Sequence, residues 1–102
     1  MKSNFIKIFG NSPKVLTIDF LLDNILIDFH KSDVAEQTGI SRSTLNIFFE
    51  DLIKDKLIIK SRIIGRAQMY QVNKQNLIIK KLLQLDKSLT MKFKVELKKI
   101  KI

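Results

Sequence analysis

The stretch that decides the fold is residues 32–45, which read SDVAEQTGISRSTL. A capping serine followed by helix-compatible residues predicts a short helix over 32–38, with Gly39 in the left-handed conformation that often ends a helix. Ser41 is placed to cap a second helix. The apolar residues of this second helix recur at the spacing of one buried face: Leu45, Phe49 and Leu52. Two helices joined by a tight turn predict a helix-turn-helix.

The opposite face of the second helix is predicted to contact DNA. Arg42 pairs well with guanine and Asn46 with adenine, while Ile47 suits a thymine methyl group. The N-terminus of a helix also favours phosphate, to which hydroxyl groups can donate. The predicted contact residues of this recognition helix, over 41–54, are Ser41, Arg42, Ser43, Thr44, Asn46 and Ile47. The alternative is an ordinary amphipathic helix whose polar face is only solvated.

A β-hairpin is predicted downstream of the second helix. Residues 57–64 are rich in β-branched side chains, Gly65-Arg66-Ala67 forms a turn, and 69–72 returns with alternating polarity. Basic side chains on such a hairpin commonly reach the minor groove or the phosphate backbone. The predicted contact residues of the hairpin are Lys60, Arg62, Arg66 and Gln68. A solvated turn is the alternative, with Lys60 serving only to protect an edge strand.

These segments together resemble the winged helix-turn-helix of small prokaryotic transcription regulators. Residues 34–45 match its helix-turn-helix, and 64–73 with 76–82 match the wing and final helix of MarR-like and ArsR-like proteins, especially archaeal ones. The resemblance covers about residues 12 to 89. It implies an α+β, mainly helical fold that binds DNA through the helix-turn-helix and the wing. The chain departs from the family where Lys56 replaces a glycine before the wing and Leu77 replaces a proline in the last helix.

The flanking segments complete a three-part division of the chain. Residues 1–11 form an N-terminal arm that is either a short helix or a short strand, 12–74 form the winged helix-turn-helix domain, and 75–102 form a basic amphipathic helix. Within the domain, Ser12-Pro13 begins a central apolar helix and 26–29 form a first, small strand.

The last helix is predicted to mediate dimerisation. Asn73 or Asn76 can cap it. An apolar stripe on so long a helix is most simply buried against a second copy of the chain. The stripe contains Ile78, Leu82, Leu85, Leu89 and Phe93. The last ten residues are either the end of this helix or a basic tail.

Charge points to a polyanionic partner. The net charge of the 102 residues is +9, and 57–74 contain four basic residues and no acid. There is no apolar run long enough for a membrane span and no signal-peptide pattern, so we expect a cytoplasmic, nucleoid-associated protein without membrane contact.

Catalysis is not expected from this sequence. The chain has no cysteine, and its single histidine, His30, is best explained as a structural residue. No catalytic, phosphate-loop or metal-ligand spacing occurs, so we predict no enzymatic activity, cofactor or metal site.

The sequence therefore predicts a homodimeric, sequence-specific regulator of transcription that binds double-stranded DNA. Two alternatives remain at this point. One is a plasmid or virus DNA-partition protein with the same fold, and the other is a winged-helix module that binds proteins and not nucleic acid.

Overall fold

The computed structural model describes residues 3–100, with side chains described as far as Met91. Over this range the chain forms five α-helices and one antiparallel β-hairpin, which confirms the predicted α+β, mainly helical fold. The elements in chain order are α1 (Asn4–Phe9), α2 (Pro13–Asp23), α3 (Lys31–Thr38), α4 (Arg42–Lys54), β1 (Ile58–Ile64), β2 (Ala67–Val72) and α5 (Leu77–Ile100).

Residues near the N-terminus form a helix, which is the first of the two predicted alternatives. Ser3 caps α1, because its Oγ accepts a hydrogen bond from the Ile6 amide at 3.1 Å. The same hydroxyl donates to the Asp19 carboxylate of α2 at 2.7 Å. Phe5 and Ile6 are buried. The helix α1 packs against both α2 and α5, so its apolar face belongs to the folded domain.

The main core lies where α2, α3, α4 and the hairpin meet. The buried face predicted for α4 is confirmed, since Leu45, Phe49 and Leu52 are each 1% exposed or less. Ile40, in the turn between the two helices, is also buried. The core comprises Phe20, Leu21, Phe29, Val34, Ile40, Leu45, Phe48, Phe49, Leu52, Ile58, Tyr70, Val72 and Ile79. Since these residues come from α2 through α5, both helices of the helix-turn-helix are fixed relative to the hairpin.

The predicted start of α3 at Ser32 is wrong. His30 is the N-cap: its Nδ1 accepts from the Asp33 amide at 3.2 Å, and its own amide donates to Asp33 Oδ2 at 3.0 Å. This reciprocal pair is a capping box in which histidine replaces the usual serine or threonine. Ser32 lies inside the first turn of α3, where its hydroxyl is not needed as a cap. The predicted C-terminal end is confirmed, because Gly39 has φ +77°.

The small strand predicted over 26–29 is reduced to a single bridge. Phe29 exchanges two backbone hydrogen bonds, of 2.9 and 2.7 Å, with Tyr70 of β2. Leu26 and Ile27 are exposed and form no ladder. This bridge nevertheless attaches the segment before α3 to the hairpin.

The predicted hairpin is present, with β1 paired antiparallel to β2 and a turn at Gly65 and Arg66. Ala67, expected in the turn, is the first residue of β2. The register shifts between Lys60 and Ile63, which leaves a bulge at residues 61–62. A bulge bends a strand and changes the direction of its side chains.

Lys56 lies where the resemblance places a glycine, and it has the left-handed conformation, with φ +59°. Its carbonyl accepts from the side chains of Asn73 and Asn76, so the strained turn connects the start of the wing to the start of α5.

Replacing Lys56 by glycine is expected to raise the free energy of unfolding by about 0.5–1 kcal/mol, because glycine has no Cβ to clash in this conformation. Urea denaturation measures this. Glu50→Gly, at an exposed position in the interior of α4, is the control and should lower the free energy of unfolding by about 1 kcal/mol. Equal losses of stability in the two variants would contradict this explanation.

Asn76 is the residue that caps α5, since its Oδ1 accepts from the amides of Ile78 and Ile79 at 2.8 and 3.2 Å. The face of α5 that packs on the domain carries Ile79, which is fully buried, and Leu83. Among the described helices, none is both long enough and apolar enough to cross a membrane.

Candidate nucleic-acid interface

Two hydroxyl groups form the cap at the N-terminus of α4. Ser41 Oγ accepts from the Thr44 amide at 3.1 Å and lies 2.9 Å from Thr44 Oγ1, which confirms the predicted cap. Both hydroxyls therefore already bond within the chain. Three predicted contact residues of α4 are exposed: Ser43, Asn46 and Ile47. Ile47 is 79% exposed, which is unusual for an isoleucine and leaves its apolar surface available.

Arg42 is held across the helix-turn-helix. Its Nη1 donates to Ser32 Oγ at 2.5 Å, and both side chains are exposed. This hydrogen bond directs the guanidinium over the first turn of α3. The hydroxyl of Ser32 thus orients the Arg42 side chain, which the sequence predicts to contact a base.

A groove of about 290 Å³ separates the helix-turn-helix from the wing. It brings together Arg42, at the start of α4, and Arg66, in the turn of the hairpin. No aspartate or glutamate is among the residues that line it, which are His30, Lys31, Ser32, Arg42, Arg66, Ala67, Gln68 and Tyr70. Its positive charge makes the groove suitable for an anionic ligand.

Lys31 and Ser32 are lining residues that the sequence prediction did not include. The Lys31 ammonium lies 4.9 Å from the centre of the Phe49 ring, a cation–π contact that holds the start of α3 over the core. The incorrect prediction that α3 starts at Ser32 puts Lys31 before the helix and gives Ser32 only a capping role, so neither residue is predicted to line the groove.

The four predicted contact residues of the hairpin have different surroundings. Lys60 and Arg66 are exposed. Gln68 is half-buried, and its side-chain amide donates to the carbonyls of Arg62 and Met69 at 3.2 and 2.8 Å. It therefore bonds to the hairpin backbone beside the bulge. Arg62 is exposed but forms an ion pair, described next.

Asp28 connects the segment before α3 to both strands of the hairpin. Its Oδ2 accepts from Arg62 Nε at 2.8 Å and from Ser61 Oγ at 3.1 Å, and its Oδ1 accepts from Gln71 Nε2 at 2.6 Å. The hydrogen bond from Gln71, with those from Arg62 and Ser61 and the positive charge of Arg62, lowers the pKa of Asp28 below its usual value. Since the folded pKa is the lower one, this contact stabilises the fold above the usual carboxyl pKa and is lost as the pH falls through the lowered value.

The acids with raised pKa lie on other elements. Burial first, and then the nearby charges of Asp19 and Asp86, raise the pKa of Asp23 on α2; burial and Asp19 raise the pKa of Asp86 on α5. In the part of the chain that the structure describes, no three His, Cys, Asp or Glu side chains are placed to hold a metal ion.

The predicted dimerisation stripe is partly open to solvent. Ile78 is 56% and Leu85 37% exposed, while Leu82 and Leu89 are half-buried. Phe93 lies beyond the described side chains. The neighbouring helix α1 adds the exposed side chains Ile8 and Phe9.

The helix-turn-helix followed by the hairpin and a final helix gives the chain a winged-helix fold. A comparison with solved structures supports this assignment: the chain is similar to a double mutant of Lactococcus lactis ZitR in its apo form, with a TM-score of 0.64 and 18% sequence identity over 92% of this chain and 73% of that one. At this identity the likeness shows the fold alone. No protein-family model matches the sequence, and no curated protein matches it.

Proposed function

We propose that this chain binds double-stranded DNA in a sequence-specific manner and regulates transcription as a homodimer. The observation that carries the proposal is the acid-free groove in which Arg42 of α4 and Arg66 of the wing face a common space. A recognition helix beside a basic wing is the arrangement by which winged helix-turn-helix proteins contact a major groove and the adjacent backbone.

In the proposed complex, α4 enters the major groove. Base edges there are contacted by Arg42, Asn46 and Ile47. Phosphate oxygens accept hydrogen bonds from the hydroxyl groups of Ser41, Ser43 and Thr44. Lys60, Arg66 and Gln68 of the wing contact the backbone or the minor groove. Such a regulator would act in the cytoplasm, in contact with the nucleoid.

A fluorescence-anisotropy titration against random-sequence duplex DNA, at two or more salt concentrations, tests DNA binding. We expect affinity to fall steeply with salt, because each neutralised phosphate contributes about −0.9 to the slope of log K against log salt concentration. No binding at low salt would contradict the proposal and favour a module that binds proteins. Selection from a random library then tests specificity and should yield a palindrome whose half-sites lie about 10 bp apart.

The homodimer is proposed on the exposed apolar surface of α5 and α1. Side chains such as Ile78, Leu85 and Ile8 are more than a third exposed, and apolar surface of this kind is typically covered by a partner. Sedimentation equilibrium at micromolar concentration is expected to give twice the mass of one chain. Leu85→Glu should shift the protein toward the monomer, whereas Lys87→Glu, on the exposed side of α5, should not. A stable monomer of the unaltered chain would exclude this part of the proposal.

A further inference from the structure

Arg62 is one of the basic residues of the wing, yet its charge is already balanced inside the chain. Its side chain is 66% exposed, but its Nε donates to Asp28 at 2.8 Å. The Asp28 side chain is only 15% exposed, and it accepts two further hydrogen bonds, from Ser61 and Gln71. The carboxylate is thus fixed in place by three donors before any DNA arrives.

We propose that Asp28 competes with DNA phosphate for Arg62 and thereby limits how many phosphates the wing neutralises. The inference rests on the proposed function. A carboxylate and a phosphate present the same kind of charged oxygen acceptor to a guanidinium group. Because Asp28 is held by Gln71 and Ser61 as well as by Arg62, it remains beside the guanidinium at no further ordering cost, whereas a phosphate must displace it.

The electrostatic consequence differs for the three basic residues of the hairpin. Lys60 and Arg66 have no acidic partner among the ion pairs of the described residues, while Arg62 has Asp28. Within about one Debye length the Asp28 charge also reduces the positive potential that approaching DNA meets. The wing therefore contributes fewer effective charges to DNA binding than its composition indicates.

The position of Asp28 explains why sequence inspection does not reveal this. Asp28 precedes α3 and is 34 positions from Arg62. Two features bring them together. The Phe29–Tyr70 bridge holds the segment before α3 against β2. The bulge at residues 61–62 changes the direction of the Ser61 and Arg62 side chains.

The test compares the full-length chain with Asp28→Asn, Arg62→Ala and the double variant, each titrated with random-sequence duplex DNA over a range of salt concentrations. Asp28→Asn keeps the shape of the side chain but removes its charge. We expect it to steepen the salt slope by about 0.9 and to raise affinity at low salt roughly 5- to 10-fold, because Arg62 becomes free to neutralise one phosphate. Arg62→Ala leaves the Asp28 charge unbalanced, so it should lower affinity at low salt while keeping the salt slope within less than about 0.9 of the unaltered value. The double variant lacks both charges and should match the affinity of the unaltered chain within about 2-fold.

Asp55→Asn is the matched control, since it makes the same change in net charge at the exposed C-cap of α4, at the opposite end of that helix from Arg42. It should leave the salt slope unchanged. Urea denaturation confirms that each variant is folded under the titration conditions.

Three results would overturn the inference. An unchanged or shallower slope for Asp28→Asn would mean that Asp28 serves only to hold the wing in position. A slope reduced by about 0.9 in Arg62→Ala alone would mean that Arg62 neutralises a phosphate with Asp28 still present. If none of the proteins binds DNA at low salt, the proposed function itself fails, which is distinguishable because the other two results require bound DNA.

Discussion

Replacing Phe49 by alanine is expected to lower the free energy of unfolding by about 3–5 kcal/mol, the usual range for truncating a buried phenylalanine. Its side chain is 1% exposed. The ring packs edge-on against Tyr70, with the ring centres 5.0 Å apart, and carries Lys31 over its face. The substitution leaves a cavity where α3, α4 and β2 meet. Since a small domain is typically stable by only about 5–15 kcal/mol, this is a large fraction of the total.

Chemical denaturation followed by circular dichroism measures the effect of Phe49→Ala. Ile47→Ala is the matched control, because Ile47 lies on the same helix but is 79% exposed, and it should change stability by no more than about 0.5 kcal/mol. A loss below about 1 kcal/mol for Phe49→Ala would show that the packing between α4 and the hairpin is not as tight as described.

Replacing Arg42 by alanine is expected to weaken binding to the preferred DNA site by about 1–3 kcal/mol, which corresponds to roughly 5- to 150-fold in Kd. A bidentate arginine–guanine contact is lost in the proposed complex, so discrimination at one base position should relax as well. The fold should tolerate the change, since Arg42 is exposed and its hydrogen-bond partner Ser32 is also exposed.

Anisotropy titrations against the selected site and against single-base variants measure both effects. Lys54→Ala removes the same charge from the other end of α4 and serves as the control, with no expected change in base preference. If Arg42→Ala keeps both affinity and base preference, α4 is not the recognition helix. Ser32→Ala should produce a smaller loss in the same direction, because it frees the guanidinium without removing it.

Much of the local structure could be predicted from the sequence because its causes are local. The Ser41 cap, the left-handed Gly39 and the apolar spacing of α4 each depend on residues within two turns of one another. The strain at Lys56 was also predictable, since the resemblance indicated a position that normally holds glycine. The hairpin followed from its β-branched residues and its glycine turn.

The errors have two causes, an uncommon capping residue and a pairing between residues far apart in the sequence. A histidine is an uncommon N-cap, and only the reciprocal bonds of His30 and Asp33 identify it as one. The segment 26–29 has the composition of a strand, but a strand needs a partner along its length. Here β2 pairs with it only at Tyr70.

The candidate interface divides in the same way. The sequence alone determined the exposed polar face of α4 and the basic composition of the wing, because helical period and residue type suffice for both. Only the tertiary structure decided that Arg42 and Arg66 share one groove, that Gln68 bonds to the hairpin backbone, and that Asp28 holds Arg62. The physical reason is that period and composition fix which side of an element a residue occupies, whereas the partner of a charged side chain depends on which elements the core brings together.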